Sequence, residues 1–236
     1  MVAEGRRLVE DALAAGASVE ALLVADDAAQ GQAAPLLEDA ARRGIRAEVT
    51  ARRDFNALAD TETPSGVLAV IEWQPLALDQ VHPLDVGRRR ALVIDGVQDP
   101  GNVGTMIRTA FALGAWLTVA LDGTADVRGP KAVRGSMGAL FRHQVATATF
   151  EEWQAYASRE GVESWLAAAE GEPLDTLPPQ PGSLALVVGN EGQGVRAAWR
   201  EHQHRTVTIP MRAGAESLNA AVAAGIVLYE LSRAVR

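Results

Sequence analysis

Ile209-Pro210-Met211-Arg212-Ala213-Gly214-Ala215-Glu216-Ser217-Leu218-Asn219-Ala220-Ala221-Val222-Ala223-Ala224-Gly225-Ile226-Val227-Leu228-Tyr229-Glu230 joins a strand end, a small-residue loop and a long apolar helix. The β-branched run 206–209 is stopped by Pro210, which supplies no ladder N–H. Residues 211–216 form the loop. From Ser217 onward Leu218, Ala221, Val222, Gly225, Leu228 and Tyr229 recur at helical spacing. Ser217 is the expected N-cap, its hydroxyl accepting from free first-turn amides. Glu216, Ser217 and Asn219 place polar groups beside a helix rich in Ala and Gly, where a ligand can lie against backbone amides. An ordinary strand-loop-helix unit would read the same way in isolation.

The 236 residues allow one large or two small domains. Nearly half are hydrophobic, enough to bury a core without staples. No cysteine is present, so disulfides, thiolate nucleophiles and thiolate metal sites are excluded. His82, His143, His202 and His204 lack the spacing of a zinc helix, and no metal is expected. No apolar run reaches membrane-spanning length and no basic-then-apolar leader opens the chain, so a cytoplasmic location is expected. The net charge of −8 opposes simple electrostatic nucleic-acid binding, but all the excess acidity lies in residues 1–86. Lys131 is the sole lysine; the remaining bases are arginines, whose planar fork suits phosphates.

Along the chain, helices are expected over 4–15, 35–43 and 53–59, and strands over 19–24, 47–50 and 67–71. This small α/β unit, residues 1–73, precedes a linker over 74–89 that carries Pro75, Pro83 and part of the triple Arg88-Arg89-Arg90. A second unit, 90–236, alternates strands (91–94, 117–121, 144–146, 164–168, 184–188, 206–209) with helices (102–113, 131–140, 153–160, 196–201 and the last). Strands apolar on both faces and separated by helices imply a mostly parallel sheet covered on both sides.

Two further loops follow strands directly. In Asp95-Gly-Val-Gln-Asp-Pro-Gly-Asn-Val-Gly-Thr-Met-Ile-Arg108, Asn102 is the expected N-cap, and Gly104 admits another backbone or a ligand to the first turn. Arg108 falls among Met106, Ile107 and Phe111 and there requires an anionic partner, either a ligand or Glu191 or Glu216. Gly189-Asn-Glu-Gly-Gln-Gly194 has the order G-x-x-G-x-G, not the dinucleotide fingerprint G-x-G-x-x-G, which disfavours a nicotinamide-dependent oxidoreductase. In a parallel sheet the loops at carboxyl strand ends line one crevice, so the three are expected to converge.

Asn102-x-Gly104 with Arg108, Gly189-Asn-Glu-Gly-x-Gly194, and Ile209-Pro-Met with Glu216-Ser-Leu-Asn219 resemble, in order, the three motifs of the SpoU (TrmH-type) branch of the SPOUT RNA 2′-O-methyltransferases. The first unit resembles that family's L30e-like substrate-binding domain through Glu4-Gly5-x-Arg7-Leu8-Val9 and Thr63-Pro64-Ser65-Gly66-Val67-Leu68-Ala69-Val70. The resemblance implies a deep trefoil knot in the second unit, a homodimer through that unit, and S-adenosylmethionine as cofactor. It implies cofactor contacts at Gly189, Asn190, Gly192, Gly194, Ile209, Met211 and Leu218, and a reaction centre of Arg108, Asn102, Glu191, Ser217 and Asn219.

The implied reaction is methyl transfer to a ribose 2′-hydroxyl, with ribosomal RNA favoured over transfer RNA. Arg108 is the family's central residue; a guanidinium stays protonated, so it fits a cation holding phosphate and oxyanion better than a base. Asn102 is then expected to position Arg108 or the ribose, Glu191 to orient donors, and Ser217 and Asn219 to hold the 2′-hydroxyl and loop. Arg128, Lys131, Arg134 and Arg142 form the expected RNA-gripping cluster, with Arg42, Arg43, Arg46, Arg52 and Arg53 the basic group of the first unit. A catalytically silent RNA-binding adaptor is the remaining alternative.

Overall fold

A computed structural model describes residues 1–82, 89–177, 182–202, 204–212, 214 and 217–233. Glu216 and Arg88, both singled out above, lie outside the described residues, as do parts of the expected linker and of the Pro-rich stretch 173–182.

The first unit contains β1 (Val2–Glu4), α1 (Arg6–Ala14), β2 (Ser18–Ala25), α2 (Asp26–Ala29), α3 (Ala34–Arg42), β3 (Arg46–Thr50), α4 (Arg52–Leu58) and β4 (Val67–Glu72). Its sheet runs β1-β4-β2-β3, with β2 and β3 parallel and the other pairs antiparallel. The expected helix 4–15 begins later than its periodicity implies. Val2–Glu4 is drawn into the sheet by β4, and Gly5, at φ 112, makes the corner into α1. The amphipathic α1 buries Leu8, Val9, Ala12 and Leu13 against that sheet.

The second unit contains β5 (Arg90–Asp95), α5 (Pro100–Ala112), β6 (Leu117–Leu121), α6 (Pro130–Gly135), β7 (Val145–Ala148), α7 (Phe150–Glu160), β8 (Val162–Pro173), β9 (Ser183–Gly189), β10 (Arg205–Thr208) and α8 (Ala220–Arg233). Its six strands are all parallel, in the order β10-β8-β9-β5-β6-β7. The central β5 is buried along its whole length, as both-face apolarity requires. The expected helix 131–140 is broken instead: Met137 (φ 47) and Gly138 (φ 80) take left-handed backbone, and a short 3-10 turn, Ala139–Phe141, follows. Residues 196–201 form a 3-10 turn over Ala197–Glu201, not an α-helix. The start of the expected linker is tied down, since Leu76 N–H donates to the Val145 carbonyl at 2.8 Å and Leu76 O accepts from Thr147 N at 3.1 Å.

Beside β6, His143 is largely buried and its Nε2 lies 2.9 Å from Thr118 Oγ1. Burial pushes its pKa down to about 4. An unfolded-chain His titrates near ~6.5, so between those values the unfolded chain takes up a proton that the folded one refuses. Stability is therefore expected to fall as pH drops from ~6.5 towards 4, by on the order of 3 kcal/mol, with His143→Gln flattening that dependence in urea titrations at stepped pH.

Candidate active site

Both helix caps at the site differ from expectation. α5 is capped by Asp99, whose carboxylate accepts from Gly101 N at 2.6 Å and Asn102 N at 3.4 Å. Pro100 then takes the first helical position, where its missing N–H costs nothing. Asn102 is thereby released from capping and presents its amide to the other two loops. α8 is capped by Asn219, not Ser217: Asn219 Oδ1 accepts from Ala221 N at 2.9 Å and Val222 N at 3.2 Å. Asn219→Ala should cost about 0.5–2 kcal/mol of stability, read as a shift in the urea midpoint at unchanged m.

The three loops meet in one hydrogen-bonded chain. Asn219 Nδ2 donates to Asn102 Oδ1 at 3.0 Å, and Asn102 Nδ2 donates to Glu191 Oε1 at 2.9 Å. Burial pushes the Glu191 carboxyl up, but bonds from Asn102 and from nearby backbone amides outweigh it and hold the group below the usual carboxylate range. Glu191 is thus an anion at neutral pH, fixed in orientation.

The register Asp95↔Gly189 brings the first and second loops side by side. Asn190 folds its loop, its Oδ1 accepting from Gly192 N and Gln193 N at 2.9 and 3.0 Å, while its Nδ2 donates to the Gly96 carbonyl at 2.9 Å. Asn190 and Gly194 also exchange backbone hydrogen bonds at 2.9 Å. The returning Gly194-Val195 backbone occupies the space where a side chain on Gly189 would stand, so position 189 admits only glycine. Below this loop, buried Asp95 accepts from Arg196 N (2.8 Å), Arg196 Nε (2.7 Å) and Trp199 Nε1 (2.9 Å), anchoring the loop's far end.

At the Glu191 end of the relay lies a cleft of about 220 Å³. Gly189, Asn190, Gly194, Ile209, Met211 and Leu218 line it, with Glu191 and Ser217 as polar members. Gly192 is not on the wall; its amide serves the Asn190 turn. One side of the cleft comes from a source the sequence did not disclose. β8 pairs with β10 up to Leu166 and resumes at Glu172, and the intervening backbone bulges so that Ala167, Ala168 and Ala169 form a wall. Thr208 Oγ1 pins the bulge by donating to the Ala169 carbonyl at 2.9 Å.

Arg108 departs from its expected place. α5 buries Val103, Gly104, Met106, Ile107 and Ala110, which turns Arg108 to the exposed side. Among the described residues it makes no hydrogen bond or ion pair; the Glu191 partner considered above is held by Asn102 instead. It stands about 9 Å of helix rise beyond Asn102. Each cation of the expected basic cluster has an acidic neighbour, though Arg128, Lys131 and Arg142 stay exposed. Arg128 pairs with Asp126 at 3.1 Å, Lys131 with Asp99 at 3.0 Å, Arg134 with Asp60 at 2.8 Å and Arg142 with Asp11 at 3.2 Å.

Residues 89–229 match the model of the SpoU rRNA methylase family. The chain belongs to this family. Residues 2–75 match a second SpoU-associated model, described as RNA 2′-O ribose methyltransferase substrate binding. Among SpoU relatives, the 23S rRNA (guanosine(2553)-2′-O)-methyltransferase RlmP of Bacillus subtilis (strain 168) is 38% identical over 229 residues, covering 97% of this chain and 86% of that one. An AdoMet-bound rRNA methyltransferase from Sinorhizobium meliloti superposes with a TM-score of 0.86 at 28% identity, covering 98% of this chain and 86% of that one. The SpoU methyltransferase AviRb from Streptomyces viridochromogenes, in complex with AdoMet, gives 0.84 at 30% identity over 99% and 89%. Within this SpoU chain, the pairing of Asp95 with Arg196 carried no sequence signal: Asp95 reads as the last residue of a strand, and its partner lies far along the chain.

Proposed function

We propose that the chain transfers a methyl group from S-adenosylmethionine to a ribose 2′-hydroxyl of ribosomal RNA of the 23S type. The observation that carries this reading is the Asn219–Asn102–Glu191 relay, whose Glu191 end lines the cleft. The lining fits the cofactor's chemistry: small side chains expose backbone groups to a base edge, apolar Ile209, Leu218 and Val227 suit a flat ring, and ionised Glu191 suits a nearby cation. Gly189, Asn190, Gly194, Ile209, Met211 and Leu218 would hold it. When bound, S-adenosylmethionine supplies an electrophilic methyl on a sulfonium, with a neutral leaving group.

The protein's own contribution is placement and charge. Asn102, fixed at both ends of its amide, keeps the helix start and both loops in register. Ser217, on the cleft wall, offers a hydroxyl to the ribose. Arg108 is exposed and holds no partner among the described residues, so its guanidinium is assigned to the target phosphate and to negative charge growing on the 2′-oxygen. The 2′-proton leaves to water or phosphate. Aligning the oxygen with the reacting carbon accounts for much of the rate.

The finer reading follows the family. On this reading the second unit carries a deep trefoil knot, and the first unit is an L30e-like RNA holder spanning 1–73, joined by 74–89 to the methyltransferase unit 90–236. The groove between α5 and α8 supports a homodimer through the second unit: Val222, Ile226 and Tyr229 are exposed there beside Thr105 and Thr109. Arg108 lies between those threonines in sequence and would sit at the margin of such an interface. The chain would act in the cytoplasm, where ribosomes assemble; among the described residues no helix is long and apolar enough to cross a membrane.

Calorimetry with S-adenosylmethionine and NAD, joined to mapping of 2′-O-methyls in ribosomal and transfer RNA with and without the gene, tests the reading. Binding of S-adenosylmethionine alone and loss of one ribosomal methyl are expected. Loss of a transfer-RNA methyl would move the substrate, and no lost methyl with no cofactor binding would leave only an RNA-binding adaptor.

A further inference from the structure

The four cations expected to grip RNA are spent on intramolecular pairs, and three of those pairs converge through α6 and the turn after it. Arg134, on α6, reaches into the first unit. Its Nη1 lies 2.8 Å from Asp60 Oδ2 and 3.9 Å from Glu4 Oε2. Glu4 is buried, with a side chain only 4% exposed, and its carboxylate also accepts from Asp60 N (2.9 Å), Thr61 N (3.3 Å) and the Thr61 hydroxyl. One turn later the chain reverses at Gly138, packed against the Asp11 side chain, and Arg142 Nη2 meets Asp11 Oδ1 at 3.2 Å. Exposed ion pairs hold little by themselves. Here, however, one acid is buried and multiply bonded, and a single cluster of buried apolar residues runs from the first sheet into the second.

The opposite side of α6 is fastened to α5. Gly104 and Gly135 bring the two backbones together so closely that a side chain on Gly104 would run into the Ala132 carbonyl. Lys131 Nζ pairs with Asp99, the residue that caps α5. A stiff path thus leads from Glu4 and Asp60 through α6 to the helix that carries Asn102 and Arg108.

We propose that Arg134 and Arg142 are positioning residues: through α6 they lock the first unit onto α5, so that the spacing between the RNA holder and the methyl-transfer site is set before RNA arrives. This rests on the methyltransferase reading. It assigns these arginines to holding the protein's own acids and not to RNA phosphates.

Because the chain has no cysteine, Asn56→Cys and Ser158→Cys can carry a pair of spin labels, one in each unit. In the full chain without RNA, the label separation should be narrow. Arg134→Glu with Arg142→Glu should broaden it, lower kcat on ribosomal RNA at saturation by roughly tenfold or more, and leave S-adenosylmethionine affinity unchanged. Arg134→Lys with Arg142→Lys, which keeps a cation opposite Glu4, Asp60 and Asp11, should retain both the narrow separation and most of kcat. It also guards against a mere folding defect. An unchanged separation in the double-Glu variant would overturn the proposal; if KM for RNA rises alongside, the arginines belong to an RNA grip. A broadened separation with unaltered kcat would also overturn it. A wild-type chain that methylates nothing would remove the enzymatic reading, while the label separation would still decide the lock.

Discussion

Arg108→Ala is expected to lower methyl transfer to ribosomal RNA by roughly 100- to 1000-fold, the usual loss on deleting one donor that stabilises a developing oxyanion. S-adenosylmethionine affinity should not change, because Arg108 is absent from the cleft wall. Folding should not change either: the residue is exposed and holds no partner among the described residues. Single-turnover methylation with labelled cofactor, set beside calorimetry, separates these effects. Arg108→Lys should recover little, since an ammonium lacks the planar fork that binds phosphate in two places. Methylation within a few-fold of wild type in Arg108→Ala would remove the residue from the mechanism.

Asp95→Ala is expected to give the largest loss of stability. Its buried carboxylate satisfies the Arg196 backbone N–H, the Arg196 guanidinium and the Trp199 indole together. Removing one partner of a buried ion pair costs about 3–5 kcal/mol, and here the Arg196 backbone N–H and the Trp199 indole lose their acceptor as well. In a chain of this size that lowers the melting temperature by roughly 10 °C. Arg196 has a second acid, Asp122 at 2.9 Å, which keeps the loss from being larger. The Asn190–Gly194 loop, tethered just before Arg196, should loosen as well, so cofactor affinity should fall with stability. A melting temperature shifted by less than a few degrees would contradict this account.

The parallel sheet and the meeting of three loops were legible because they follow from short-range rules. Both-face apolar runs such as 91–94 and 184–188 form buried parallel strands, and parallel strands deliver their carboxyl ends to one edge. Both caps stand one signal away from the residues that local sequence favours. Asn102 and Ser217 are good capping residues, but Asp99 stands before a proline that opens the helix, and Asn219 lies nearer the last helix's true start. The outward side of Arg108 had no sequence signal, because apolar neighbours do not reveal which side of a helix meets the core. The β8 bulge and the pairing of Arg134 and Arg142 across units depend on contacts between distant segments, for which local pattern has no signature.

Asn219 gives one small side chain two unlike tasks. Its oxygen closes the open end of a helix while its nitrogen reaches a carbonyl on another segment. Aspartate would serve the first task and fail the second, turning the contact with Asn102 into oxygen facing oxygen; serine would have no second arm to offer. Only a carboxamide of this length carries a donor and an acceptor on one fork. Asn219→Asp should therefore leave the melting curve nearly intact and silence methyl transfer, dividing in one substitution the architecture of the helix from the chemistry at its tip.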